Sequence, residues 1–216
     1  MVQNGVAWLF DVDGVIIDSM PLHTDVWGIY LERLGVKIDD VAARMHGKRN
    51  DELIRDFFGT VLADDEVFHH GAAKEELYRE LMAPRLKNLL VPGIEAFLER
   101  HPDIPKAIGS NAEPANVEFV VDGANLRKHF QVFVDGMQVE HPKPYPDVYL
   151  RAADLLHKDP KNCIVFEDSP AGVAAGKAAG ARVVGVETHE PLEGVDFRIR
   201  DFLDPGLDEW LAKLTY

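Results

Sequence analysis

The run Val6–Ala7–Trp8–Leu9–Phe10 is unbroken in its hydrophobicity and stops at Asp11–Val12–Asp13–Gly14. Such a run predicts a strand buried on both faces, as in a parallel sheet flanked by helices. Four further segments have the same form. Residues 104–108 end at Gly109–Ser110–Asn111, and 131–134 at Asp135–Gly136. Residues 163–166 end at Glu167–Asp168–Ser169, and 181–186 at Glu187–Thr188. Between them, helical spacing predicts helices over 94–100, 113–123, 146–156 and 171–179, the last closed by Gly180. Strands alternating with helices predict an α/β, doubly wound (Rossmann-like) parallel sheet. Sheets of this kind bind ligands beyond the carboxyl ends of their strands, where this chain carries small and acidic residues.

Residues 18–90 break the rhythm. Apolar positions at helical spacing predict helices over 21–34 (stopping at Gly35), 50–58 and 64–82, with Gly47, Gly59 and Gly71 as interruptions. No strand pattern stands out there. The economical organisation is a core of 1–17 and 91–216 with an all-helical domain, 18–90, inserted after the first strand; Val91–Pro92–Gly93 marks the return.

Composition narrows the function classes. The 216 residues suffice for a full core, and a net charge of −14 argues against nucleic-acid binding, which requires a basic face, so no nucleic-acid partner is expected. No apolar run is long enough for a bilayer, and no N-terminal stretch pairs a basic start with a long apolar core, so a cytoplasmic protein without membrane contact is expected. Cys163, the single cysteine, lies in an apolar run and reads as a buried, inert thiol. No heptad seam points to assembly, and a monomer is expected.

Asp11 and Asp13 lie one pleat repeat apart, so both would leave the strand on one side. Close carboxylates need a cation, a shared proton or abundant water. Taken alone, Asp-x-Asp-Gly fits a metal-assisted site and a solvated turn equally well. Three further strand ends or loops add Ser110, Lys143 (in Lys143–Pro144–Tyr145–Pro146–Asp147) and Glu167–Asp168. A nucleophile, an acid/base, oxygen ligands and phosphate donors make up the equipment of phosphoryl transfer. Hard oxygen ligands such as Asp11, Glu167 and Asp168 suit Mg²⁺ rather than zinc. Because adjacent strand residues point opposite ways, Asp168 is preferred to Glu167 as a direct ligand. Plainer readings stand beside these: Ser110–Asn111 and Glu167–Asp168 as helix caps, and Lys143 as a solvated loop lysine.

In this order and spacing the motifs resemble those of the haloacid dehalogenase (HAD) superfamily, in the branch with a helical cap. Within it they are similar to the β-phosphoglucomutase-like and sugar-phosphate phosphatase group, over essentially the whole chain. The resemblance implies Asp11 as nucleophile and Asp13 as general acid/base. It implies phosphate binding by Ser110, Asn111 and Lys143, and Mg²⁺ held by Asp11, Asp13, Glu167 and Asp168. In the cap it implies substrate binding by His23, by Gly47, Lys48 and Arg49 within the basic cluster that includes Arg44 and His46, and by Lys74. A solvated His23, an exposed basic turn and a Lys74 paired with Glu75 or Glu76 are the alternatives. The cap loop Gly47–Lys48–Arg49–Asn50 departs from the Gly-x-Ser-Arg of the mutases, with its arginine one position early. The implied activity is Mg²⁺-dependent hydrolysis of a small phosphorylated metabolite, a sugar phosphate, through an aspartyl-phosphate. A β-phosphoglucomutase-type phosphomutase and a non-enzymatic phospho-accepting switch are the other two readings.

Overall fold

The structure is a computed structural model describing residues 5–45, 50–59 and 61–214. The chain divides into two compact units, Met1–Asp18 with Leu86–Tyr216, and Ser19–Arg85.

The first unit is built on β1 (Ala7–Phe10), β2 (Lys106–Gly109), β3 (Val132–Val134), β4 (Cys163–Glu167), β5 (Arg182–Val186) and β6 (Phe197–Ile199). The helices of the second unit are α1 (Met20–Arg33), α2 (Val41–Met45), α3 (Asn50–Phe58) and α4 (Asp64–Met82). Those of the first are α5 (Ile94–Arg100), α6 (Pro114–Gly123), α7 (Asp147–Leu155), α8 (Pro170–Ala178) and α9 (Pro205–Ala212). The strands form one sheet in the order β3-β2-β1-β4-β5-β6, and every neighbouring pair is parallel. This is the doubly wound α/β architecture expected from the sequence.

Strand β1 is buried on both faces, which explains its unbroken apolar run. Phe10 stacks on Phe166 of β4 with ring centroids 4.4 Å apart, and Trp8 stacks on Phe97 of α5 at 5.0 Å. Ala7 and Leu9 point to the other face, where Ala107 and Val165 pack with Val148 and Tyr149 of α7 and Val173 of α8. Gly176 brings α8 close to the sheet, since a Cβ there would lie 2.9 Å from Val183 and 3.2 Å from Val165. That helix ends in a Schellman motif: Gly180, at φ +87°, bonds Lys177 O, and Ala181 N bonds Gly176 O at 3.1 Å. Lys106, in β2, is buried; its Nζ donates to the carbonyls of His101 and Ile104 and lies 5.4 Å over the Trp8 ring. Burial pushes this amine down to about 8.

In the helical unit, Leu22, Val26, Trp27, Tyr30 and Leu31 form the buried stripe of α1, which packs against α2 and α4. Gly71, expected as an interruption, lies inside an unbroken α4. Tertiary packing overrides the roughly 1 kcal/mol helical penalty of glycine. The sequence pattern also omitted β6, three residues whose middle Arg198 is exposed, and α9, whose Asp204 cap accepts from Gly206 N at 2.8 Å. No helix among the described residues is long and apolar enough to cross a membrane.

Candidate active site

The chain runs from β1 to β2 on one side of the sheet and from β4 to β5 on the other, so the junction of β1 and β4 is a topological switch point. Pleat parity aims the residues there. Asp11 continues the Ala7–Leu9 face, and Glu167 continues the Cys163–Val165 face, the one that α7 and α8 cover. Asp11 N still bonds Phe166 O at 3.1 Å, although β1 itself ends at Phe10.

Lys143 joins these two acids. Its Nζ lies 2.6 Å from Glu167 Oε1 and 3.0 Å from Asp11 Oδ2, with all three side chains buried. A solvated loop lysine is thereby ruled out. Glu167 Oε1 also accepts from Tyr149 Oη at 2.6 Å, while Oε2 accepts from Asp168 N, Ser169 N and Ser169 Oγ. Two glycines make room for the acids. A Cβ on Gly172 would fall 1.8 Å from Glu167 Cδ, and one on Gly14, at φ +73°, 1.8 Å from Asp168 Oδ2.

Ser110 follows β2 and is buried, with its Oγ accepting from Ala112 N at 3.2 Å. Asn111 Oδ1 accepts from Lys143 N at 3.0 Å, so this side chain holds the lysine loop. Neither residue caps α6, whose N-cap is Glu113, and α8 is capped by Ser169, whose Oγ accepts from Gly172 N at 3.1 Å.

Asp11, Glu167 and Asp168 each offer an oxygen within 4.8 Å of the others. The expectation that Glu167 and Asp168 face apart needs correction. Strand β4 ends at Glu167, so pleat alternation no longer governs Asp168 in the turn before α8. Burial pushes the Asp11 carboxyl up to about 7; Lys143 opposes this, and Glu167 and Asp13 add to it. Burial, then Glu167 and Asp11, hold Asp168 well above the carboxylate range. Burial works against the Lys143 ammonium, but Asp11 and Glu167 outweigh it and hold the amine above the ordinary lysine range. An all-oxygen set of mutually repelling carboxylates fits a hard divalent cation such as Mg²⁺. Asp13 stands outside this trio and is partly exposed, bridged through its backbone to Ile17.

In the helical unit, His23 lies in the first turn of α1 with Nδ1 2.7 Å from Lys74 Nζ, and its ring stacks on Tyr78 at 4.0 Å. Lys74 is buried, 2.8 Å from Glu75 Oε1 and 5.4 Å over the Trp27 ring. Asn50 Nδ2 donates to the same Glu75 oxygen at 2.5 Å. The pairing with Glu75 is thus realised, and a fully solvated His23 is not. Gly47, Lys48 and Arg49, with His46, lie outside the described residues. Arg44 pairs with Asp56 at 3.0 Å. Sequence reasoning missed Tyr149 and Gly172. Tyr149 follows Lys143 by six positions, within the first turn of α7, a register that carries meaning only once α7 is known to cover the Glu167 face.

The family model of haloacid dehalogenase-like hydrolases matches residues 7–180. The chain belongs to this family. It is 34% identical to hexitol phosphatase A of Escherichia coli over 83% of this chain and 82% of that protein. It is 29% identical to β-phosphoglucomutase of Bacillus subtilis over 94% and 95%. The structure of CbbY from Rhodobacter sphaeroides in complex with xylulose-(1,5)bisphosphate superposes with a TM-score of 0.80 at 27% identity, covering 95% of this chain and 97% of that one. The protein is therefore a HAD-type enzyme with phosphatases and a phosphomutase among its relatives, and the non-enzymatic switch reading is set aside.

Proposed function

We propose that this HAD enzyme is a Mg²⁺-dependent phosphatase that hydrolyses a small phosphorylated metabolite, a sugar phosphate, through an aspartyl-phosphate on Asp11. The observation that carries the reading is the buried Lys143 ammonium 3.0 Å from Asp11 Oδ2, beside two further acids at the switch point. A carboxylate held against a cation is shielded for in-line attack on a phosphorus that bears negative oxygens. Asp11 forms the O–P bond while Asp13 protonates the departing alcohol oxygen. Asp13 then takes a proton from the water that attacks the phosphoryl group, which releases phosphate and restores Asp11. Lys143 and the Ser110 hydroxyl meet the phosphoryl oxygens. Bound Mg²⁺, held by carboxylates of the Asp11–Asp168 cluster, would neutralise charge on the transferring group.

The sugar-phosphate class is supported by relatives named as phosphatases of fructose 1-phosphate and of hexitol phosphates. We assign substrate selection to the inserted helical domain, read as a cap, through His23, Lys74 and residues 47–49. Cys163 is buried, with its thiol pushed up to about 12 by burial, and takes no part in this reaction; a cytoplasmic setting belongs to the same proposal. The test is a panel of sugar phosphates assayed with Mg²⁺ for released phosphate and for isomerised product, with and without chelator. Chelator-sensitive phosphate release is expected. The second reading, a phosphomutase, is favoured by the His23–Lys74 contact and by the β-phosphoglucomutase relatives. Conversion of β-glucose 1-phosphate to glucose 6-phosphate with negligible phosphate release would establish it instead.

A further inference from the structure

Tyr149 has no part in the reaction as described, yet its hydroxyl sits inside the charged cluster. The side chain is fully buried, and Gly109 lies so close that a Cβ there would stand 3.0 Å from the ring. Its Oη donates to Glu167 Oε1 at 2.6 Å, the oxygen that also receives Lys143 Nζ at 2.6 Å. The same ring lies beneath the ammonium, 5.0 Å from Nζ to the centroid. On the other side of the carboxylate, Oε2 receives Asp168 N at 3.1 Å, Ser169 N at 3.3 Å and Ser169 Oγ at 3.1 Å. An ionised carboxylate offers about four lone-pair directions, and the protein donors to Glu167 already fill them.

We propose that Tyr149 is a positioning residue: by occupying Glu167 Oε1 and seating the Lys143 ammonium on its ring, it makes Glu167 the fixed counter-ion of the lysine and leaves metal coordination to Asp11 and Asp168. The inference rests on the phosphoryl-transfer reading above. Glu167 therefore acts through Lys143. A carboxylate so saturated must give up a protein donor before it can bind an ion. Tyr149 holds it in place, because the ring is fully buried, packs against Gly109 of β2 and carries its hydroxyl to Glu167 Oε1.

The test uses the Tyr149→Phe protein, which keeps the ring and loses one donor. Inorganic phosphate is titrated into the Mg²⁺-loaded protein, and Mg²⁺ alone into the phosphate-free protein, by calorimetry. Losing a donor to a charged group is expected to loosen the seat of Lys143 and weaken phosphate binding about fivefold. Mg²⁺ binding stays the same or tightens, since a lone pair of Glu167 becomes available. A structural role alone would lower both affinities together. Unchanged phosphate binding, or weakened Mg²⁺ binding, overturns the inference. A crystal structure of the wild-type protein with Mg²⁺ tests it even if the variant fails to fold. Glu167 should keep its Tyr149 and Lys143 contacts, and a Glu167 oxygen at the roughly 2.1 Å of Mg²⁺ coordination overturns the inference. If wild type binds phosphate and Tyr149→Phe binds it equally well, this inference alone falls; a wild type that binds neither phosphate nor Mg²⁺ overturns the phosphatase reading as well.

Discussion

The two units each bury a lysine against a carboxylate, and the surroundings of the two pairs differ. Lys143 lies 2.6 Å from Glu167 and 3.0 Å from Asp11, with the Asp168 carboxylate in the same cluster. Lys74 lies 2.8 Å from Glu75, beside a histidine and the aromatic faces of Trp27 and Tyr78. In the α/β unit, acids outnumber the ammonium they share, and burial leaves Asp11 near pH 7 and Asp168 well above its ordinary range. That imbalance is what a divalent cation and an anionic phosphoryl group would redistribute. Among the described residues of the helical unit, Lys74 is set against Glu75, which also accepts from Asn50 Nδ2, so this buried carboxylate faces an ammonium and an amide donor rather than further acids. The α/β cluster thus gathers three acids about one ammonium, whereas Lys74 and Glu75 are packed among a histidine, an asparagine and aromatic rings.

Ways to break this contrast can be ranked by size. Asp11→Asn should lower phosphate release at least about 10³-fold, because the nucleophile is lost, while the protein stays folded; steady-state rates check it. Lys74→Met removes the lysine partner of a carboxylate that is itself buried. Chemical denaturation should show a loss of about 3 kcal/mol, with Mg²⁺ affinity unchanged. Gly172→Ala drives a methyl into the Glu167 carboxylate and should destabilise by about 2 kcal/mol, with phosphate release impaired. In the metal-free protein the Asp11 carboxyl holds its proton below about pH 7, and the cation must displace it. Mg²⁺ affinity should therefore fall at least about tenfold per unit as pH drops below that value, and more steeply where Asp168 must also give up a proton, by calorimetry. Smallest is Gly71→Ala in α4, where a Cβ would meet Ile54 at an ordinary 3.6 Å. Thermal denaturation should show a gain of about 0.5–1 kcal/mol.

The same contrast explains what was legible in the sequence. Asp11, Ser110 and Glu167 sit where apolar runs end, and in a parallel sheet such ends converge, so linear order sufficed to group them. The limits of α3 and α4 were equally plain, marked by periodic apolar positions with Gly59 between them. Asp168 was expected in the cluster and lies there; Glu167 was ranked below it because pleat alternation was extended one residue past the end of β4. Tyr149 and Gly172 lie on helices, and their value depends on which sheet face α7 and α8 cover, a tertiary fact. Lys74 was singled out by the resemblance, with pairing to Glu75 or Glu76 as the alternative, but its burial was not legible, because it depends on the packing of α1 on α4. Strand β6 escaped notice because three residues with a central arginine carry no pattern.

The central claim is that phosphoryl transfer passes through Asp11. Acid-quenched single turnovers of an active sugar phosphate with Mg²⁺, followed by peptide mass analysis, test it most directly. A phosphoryl group on the peptide carrying Asp11, absent from the Asp11→Asn protein, is the predicted result. Turnover with no phosphorylated enzyme, or with the phosphoryl group on another residue, would contradict it.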